Sequence, residues 1–125
     1  MPNKYYVSGR KKEWRVQELL EAEGYLTFRT AGSHTPVDVL AFYDLGDLTR
    51  LDILSQLPSP PVWIQVKSKS PISNDEWNIL YRAATRCGAV PVLAICLPRK
   101  KIQYMQLLGT RKPREQKKPW VEWQP

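Results

Sequence analysis

The stretch VWIQVKSKS, residues 62–70, decides the predicted fold more than any other part of the chain. Its apolar side chains, Val62, Ile64 and Val66, recur every second residue. This period of two is that of a β-strand with one apolar and one polar face. The polar face carries Gln65 and Lys67 on a strand that we expect at the centre of a small domain, where the fold alone does not require them.

Length and composition limit what surrounds this strand. The chain has 125 residues, of which 42% are hydrophobic and 25% charged, as expected for one compact domain. No run approaches the ~18 apolar residues that span a bilayer, and the N-terminus shows no apolar signal segment. We therefore expect a cytoplasmic protein with no membrane partner. Cys87 and Cys96 form no CxxC pair, so we expect neither a zinc site nor a disulfide framework.

The charge of the chain points to a polyanionic partner. Lysine and arginine number 19 against 12 acidic residues, which gives a net charge of +7. The basic residues cluster within residues 4–15 and again within residues 99–118. Two basic clusters on a small domain favour nucleic acid; the alternative is a solvated basic surface that only aids solubility.

Helix and strand signals alternate along the chain. Ser8 can cap a helix from about Gly9 to Glu23, with Trp14, Leu19, Leu20 and Ala22 as apolar positions. Asn74 or Asp75 can cap a second helix that runs to about Cys87 and stops at Gly88. Strands are predicted at 25–31, 37–43, from residue 62, at 90–97 (buried on both faces) and at 101–108 (an edge strand). The segment 44–61 interrupts this pattern and could hold a short helix.

The order of these elements predicts an α/β fold with a central mixed β-sheet flanked by helices. Residues 1–108 form the domain, with 44–61 as an insertion, and residues 109–125 form a basic, proline-rich tail. We expect this tail to be a partly ordered arm, in which Trp120 and Trp123 have no clear assignment.

Polar residues on two neighbouring strands form the candidate site. Asp38 lies among apolar residues in VDVLAF, where an unpaired carboxylate is costly. If the second and third strands are neighbours, Asp38, Gln65 and Lys67 can converge at one end of the sheet. A carboxylate and an amide oxygen suit a hard cation such as Mg²⁺, and an adjacent ammonium can offset charge that develops on a phosphate. The spacing alone fits an ordinary surface strand equally well.

A longer stretch carries a family resemblance. GRKKEWRVQELLEAEGYLTFRTAGSHTPVDVLAF, residues 9–42, resembles the N-terminal half of the archaeal-type Holliday junction resolvases, within the PD-(D/E)XK nuclease superfamily. The matching positions are Gly9 and Glu13, Gly24 and Tyr25, Arg29 before Thr30-Ala31-Gly32-Ser33, Asp38, Gln65-Val66-Lys67 and the pattern of residues 77–95. The resemblance covers roughly residues 4–108, and it excludes 44–61 and the tail. Its ordered set of motifs is more specific than any single one.

The resemblance implies a restriction-endonuclease-like αβββαβ core and an Mg²⁺-dependent endodeoxyribonuclease, in which Mn²⁺ substitutes. It further implies a homodimer that resolves four-way DNA junctions by paired symmetric nicks in recombination and repair, associated with the nucleoid. One departure is Gln65, which stands where the family has an acid. A glutamine still offers a neutral oxygen ligand, so either activity is retained or the domain only binds DNA. Asp44, Asp47 or Asp52 of the insertion are possible replacement carboxylates.

Residue roles follow from the same resemblance. The catalytic set is Glu13, Asp38, Gln65, Lys67 and Ser33, of which Glu13, Asp38 and Gln65 would hold the metal. The DNA-binding set is Arg10, Lys11, Lys12, Arg29, Ser33, His34 and Lys69. Plainer readings remain open, since Glu13 can be one more charge on a helix face and Arg29 a surface ion pair. Trp14, Trp63 and Trp77 are predicted to be core residues.

Three other functions share these residues. A nicking or restriction-type nuclease of the same superfamily would cut linear duplex at a sequence. A non-catalytic protein would bind junctions or duplex without cleaving them. A basic interaction protein would bridge nucleic acid and a partner through the tail, so that deletion of 109–125 abolishes its function.

Overall fold

Two helices and six strands make up the described part of the chain. The computed structural model describes residues 4–30, 35–44, 59–68, 72–113 and 119–125. In chain order the elements are α1 (Lys4–Ala22), β1 (Tyr25–Arg29), β2 (Val39–Tyr43), β3 (Val62–Lys67), α2 (Asn74–Arg86), β4 (Val90–Ile95), β5 (Gln103–Leu107) and β6 (Trp120–Glu122). The predicted helix within 44–61 falls almost wholly on residues outside this description.

All six strands belong to one sheet, in the order β1-β2-β3-β4-β5-β6. β3 and β4 are parallel, and every other neighbouring pair is antiparallel. Two adjacent parallel strands need a crossover connection, and α2 provides it between β3 and β4. The sheet is therefore mixed and flanked by helices, which confirms the predicted fold class.

Each face of the sheet is packed against one helix. On the first face, Val16 and Leu20 of α1 pack with a buried cluster that includes Val39, Ile64 and Val92. On the second face, Trp77 and Leu80 of α2 pack with a cluster that includes Leu93 and Ile95. Successive residues of β4 thus face opposite helices, which explains why this strand is apolar throughout.

The helix ends differ from prediction in two places. α1 begins at Lys4, so the predicted cap at Ser8 is wrong: residues 4–8 contain no proline or glycine, and the helix continues through them. α2 is capped by Ser73, whose hydroxyl accepts a hydrogen bond from the Glu76 N–H at 3.1 Å. A serine before a run of helical residues provides this acceptor, and the predicted cap at Asn74 or Asp75 is one or two residues late. The predicted stop at Gly88 has a φ of 70°, which glycine adopts without strain.

The buried face of α1 also differs from prediction. Val16 and Leu20, four residues apart, are fully buried, whereas Trp14 is 46% exposed and Leu19 is 42% exposed. The prediction that Trp14 is a core residue is therefore wrong. Residues i and i+4 lie on the same helix face, and the face that meets the sheet is set by Val16 rather than by the larger indole.

The C-terminal residues extend the sheet. β6 pairs with β5 from Leu107↔Trp120 to Met105↔Glu122, so the prediction that β5 is an edge strand is wrong. The ring of Trp123 lies 5.5 Å from that of Tyr104 and 6.0 Å from that of Tyr25. Residues 119–125 thus pack on the domain, because their backbone hydrogen-bonds to β5 and their aromatic rings are partly buried. No helix in the described ranges is both long and apolar enough to cross a membrane.

Candidate functional site

Asp38 occupies the point where β1, β2 and β3 meet. It precedes β2 by one residue, and is not the inner strand residue that the sequence predicted. Its N–H donates to the carbonyl of Ile64 at 2.9 Å, and its carboxylate Oδ2 accepts from the N–H of Val66 at 2.8 Å. Asp38 therefore bonds to the residues on both sides of Gln65. The carboxylate satisfies a β3 backbone N–H where the regular β2–β3 pairing ends at Val39↔Ile64.

The carboxylate of Asp38 is held in a desolvated position. Burial raises its pKa above the ordinary value, and the hydrogen bond from Val66 and the charge of Lys67 offset this increase in part. Desolvation disfavours the charged form, whereas a cation and a donor favour it. A bound cation, like the neighbouring Lys67, would stabilise the charged form of this desolvated carboxylate.

Glu13 brings a second carboxylate from α1. Its Oε2 lies 3.4 Å from Nε of Arg29, and both side chains are partly buried. Burial raises the pKa of Glu13, the negative charge of Asp38 raises it further, and Arg29 lowers it. The effect of Asp38 on this pKa shows that the two carboxylates are within electrostatic range of each other. The ion pair that was the alternative interpretation of Arg29 is therefore present in the structure, and it places Arg29 next to Glu13 of the candidate site.

Gln65 and Lys67 share one face of β3, as their spacing predicted. In the parallel register they lie beside Leu93 and Ile95 of β4. The side-chain amide oxygen of Gln65, Oε1, is buried and has no hydrogen-bond partner. A buried polar atom without a partner is costly and calls for an explanation. The Nζ of Lys67 lies 2.9 Å from Oε2 of Glu76.

Glu76 is a site residue that the sequence analysis missed. It stands in the first turn of α2, three residues after the cap at Ser73, and its carboxylate faces Lys67 across the βα connection. The signal that could have found it is the pattern Ser73-Asn74-Asp75-Glu76, because S-x-x-E marks a helix start and so fixes where its glutamate lies. Both partners of the ion pair are partly exposed, which limits its energy.

The residues predicted to bind DNA lie in different surroundings. Arg29 joins Glu13 as described, and the guanidinium carbon of Arg10 lies 4.9 Å from the centroid of the Trp14 ring. The charges of Lys12 and Arg15 partly offset the effect of burial on the raised pKa of Cys96, whose N–H donates to the carbonyl of Lys67 at the same end of the sheet. Lys11 is exposed. Ser33, His34 and Lys69 lie outside the described residues.

The donor set fits a hard divalent cation better than a softer one. Within the ranges that the structure describes, no three His, Cys, Asp or Glu side chains are grouped so as to hold a metal ion. The candidate oxygen donors are the carboxylates of Asp38 and Glu13, which interact electrostatically, and the side-chain amide oxygen of Gln65, whose two neighbours bond to Asp38. Oxygen ligands without sulfur or imidazole suit Mg²⁺ and Mn²⁺. The unpartnered Gln65 oxygen is an acceptor that a cation or its bound water would satisfy.

A sheet of this order, with α1 on one face and a βα crossover on the other, defines the restriction-endonuclease-like class of α/β folds. The solved structure of Hjc, a Holliday junction resolvase from the archaeal hyperthermophile Archaeoglobus fulgidus, has this fold. This chain superposes on it with a TM-score of 0.60 at 23% sequence identity, over 91% of this chain and 88% of that one. No protein-family model and no curated protein matches the chain. At this identity the similarity establishes the shared fold.

Proposed function

We propose that the chain is a divalent-metal-dependent DNA endonuclease that resolves four-way junctions. The observation that carries the proposal is the position of Asp38. Its backbone and carboxylate bond to both neighbours of Gln65, and it interacts electrostatically with Glu13 and Lys67. This cluster lies on a fold shared with a solved Holliday junction resolvase. The net charge of +7 fits a nucleic-acid partner.

The residues of the cluster would divide the work of phosphodiester hydrolysis. Asp38, Glu13 and Gln65 would hold Mg²⁺ or Mn²⁺, which supplies an activated water and offsets charge on the phosphate when bound. Lys67 donates to the attacking water or to a phosphate oxygen, and its ion pair with Glu76 orients the ammonium. The charge of Lys67 also favours the ionised form of Asp38 that binds a cation.

The residues predicted to bind DNA would position it at the site. Arg29, next to Glu13, would contact the cleaved phosphate or its neighbour, together with Ser33. Arg10, Lys11, Lys12, His34 and Lys69 would contact the flanking backbone. Contacts of this type fix position and shape, and they carry little sequence information. A four-way junction has two-fold symmetry, so a C2 homodimer would present two sites for paired cuts.

A second candidate function is a junction-binding protein that does not cleave. Two observations favour it: position 65 offers a neutral oxygen, and the ammonium of Lys67 is engaged by Glu76. Binding would then keep its salt dependence because the phosphate contacts remain. Cleavage in the presence of metal separates the two candidates.

The decisive experiment compares an end-labelled four-way junction with linear duplexes of the same arm sequences, in Mg²⁺, Mn²⁺ or EDTA. We expect metal-dependent symmetric nicks near the crossover, little cleavage of the duplexes, and a loss of about 100-fold or more in rate for Asp38→Asn. Asp75→Asn, an exposed acid in the first turn of α2, is the matched control and should cleave normally.

Each other outcome selects a different function. Equal cutting of duplex and junction would indicate a nicking or restriction-type nuclease. Tight binding with no cleavage in either metal would favour the junction-binding protein. Full activity of Asp38→Asn would contradict the site itself.

A further inference from the structure

Trp14 is a large aromatic residue that lies on the surface, next to Glu13 of the candidate site. It follows Glu13 in α1 and is 46% exposed, whereas Trp77 of α2 is 1% exposed. The packing of α1 depends on Val16 and Leu20, so Trp14 is not needed to hold this helix on the sheet. A single exposed apolar residue needs no special explanation, but the charges around Trp14 make this one unusual.

Two arginines from different elements lie close to the indole. The guanidinium carbons of Arg10 and Arg29 are 4.9 Å and 5.6 Å from the ring centroid, within the range of cation–π contact. Arg29 also pairs with Glu13 at 3.4 Å. The indole is therefore connected to the candidate metal site through one arginine, and nearly half of its surface remains open to a further partner.

An aromatic side chain set among cations is the arrangement that binds unpaired or unstacked nucleotides. Cations contact the phosphates, and the ring stacks on a base face. In an intact duplex each base is covered by its neighbours, so an aromatic side chain finds no open face along the helix. At the crossover of a four-way junction the strands leave one duplex for another, and base pairs there lack the continuous stacking of a duplex.

We propose that Trp14 stacks on a base at the branch point, next to the cleaved phosphate, while Arg10 and Arg29 contact the adjacent phosphates. This inference rests on the proposed function and extends it, because it assigns selectivity for branched DNA to a base contact. Backbone contacts alone discriminate by shape; a stacking residue adds a term that an uninterrupted duplex does not provide.

Binding in EDTA tests the proposal apart from catalysis. The DNAs are a four-way junction, the same junction with abasic nucleotides at the crossover, and a linear duplex. Trp14→Leu should weaken binding to the intact junction by about tenfold, near the lower limit for loss of one stacked base. The same variant should change binding to the abasic junction and to the duplex by less than about twofold. Trp14→Phe keeps a ring and should restore most of the affinity.

The matched control is Phe42→Leu, an aromatic residue of β2 that is 41% exposed and lies at the far end of the strand from Asp38. It should bind all three DNAs as the wild type does. Circular dichroism and melting of Trp14→Leu should be unchanged, because Trp14 is not part of the buried clusters.

Four results would overturn the inference. An equal loss on all three DNAs would mean that Trp14 acts only by holding the arginines, and no loss on any DNA would mean that it makes no contact. A wild-type protein that prefers no junction over duplex would defeat the proposed function, and with it this extension. A wild-type preference for the junction that Trp14→Leu leaves unchanged in size would defeat the extension alone.

Discussion

β3 and β4 lie side by side in parallel register, and they use one face of the sheet in opposite ways. On the face covered by α2, Leu93 and Ile95 of β4 are 1% and 2% exposed. Their partners in β3 are Gln65 and Lys67, both partly exposed. On the other face both strands are apolar, as Ile64 and Val92 show. The sheet thus accepts apolar residues at the matching positions of β4, so it does not itself require the polar pair of β3.

The largest effect on stability should come from placing in β4 a polar residue of the kind that β3 has. Leu93→Gln would remove apolar contacts beneath α2 and bury an amide in their place, which should lower the free energy of unfolding by about 3 kcal/mol. The reverse change, Gln65→Leu, should leave stability unchanged or raise it, because the Gln65 oxygen already lacks a partner. Urea unfolding measures both. A loss for Gln65→Leu as large as that for Leu93→Gln would show that the two strands do not differ in this way.

The next effect concerns Asp38 and depends on pH. The pKa of its carboxyl is raised mainly by burial, so the native state binds this proton more tightly than the unfolded state. Stability without metal therefore falls as the pH rises from the ordinary carboxyl range through the raised pKa. Asp38→Asn removes this loss and keeps an oxygen for the Val66 N–H. We expect it to melt a few degrees higher than the wild type at pH 7 in EDTA, and equally near pH 3.

The matched control for this measurement is again Asp75→Asn, which should melt like the wild type across the range. Parallel pH profiles for the wild type and Asp38→Asn would contradict the burial argument. Added Mg²⁺ should reverse the order at pH 7, because a ligand that binds only the native wild type stabilises it.

The smallest effect should follow from Gln65→Glu, which gives β3 the acid that the resemblance leads one to expect. Its charge should strengthen binding of a divalent cation, so half-maximal cleavage should need less Mg²⁺, and the rate at saturating Mg²⁺ should stay the same or rise by up to about threefold. Mg²⁺ should also raise the melting temperature of this variant more than that of the wild type. Gln103→Glu, at an exposed position of β5, is the control.

Loss of activity in Gln65→Glu without any stronger response to Mg²⁺ would show that residue 65 does not face the ion. The role of Gln65 as a ligand would then be withdrawn. The roles of Asp38 and Lys67 would not depend on it.

The sequence predicted most of the fold because alternation and helical spacing are local signals. β3 was visible in VWIQVK alone, and β4 in its continuous apolar run. β6 was not visible, since three residues between prolines and charges become a strand only by pairing with β5. The early start of α1 and the exposure of Trp14 were missed for a related reason: which helix face is buried depends on the sheet that it meets.

The sequence predicts candidate site residues but not their contacts. Strand position and spacing predict Asp38, Gln65 and Lys67 as candidates, and in the structure Asp38 bonds to both neighbours of Gln65 while the charge of Lys67 acts on it. The bond from the Val66 N–H to Asp38 could not be read from the sequence, because it arises where regular β2–β3 pairing ends. The pairing of Lys67 with Glu76 depends in the same way on the relative position of a strand and a helix.

The short C-terminal strand has a consequence for self-association. β6 pairs with the main-chain groups of β5, whose side chains include the buried Met105 and Leu107. Without β6, β5 would be an apolar edge strand with which strands of other chains could pair. Three residues that end in Glu122, followed by a ring packed on Tyr104, make a far poorer template. A protein shortened at residue 108 would thus tend to polymerise through an open strand, so its behaviour would report on solubility before it reported on DNA.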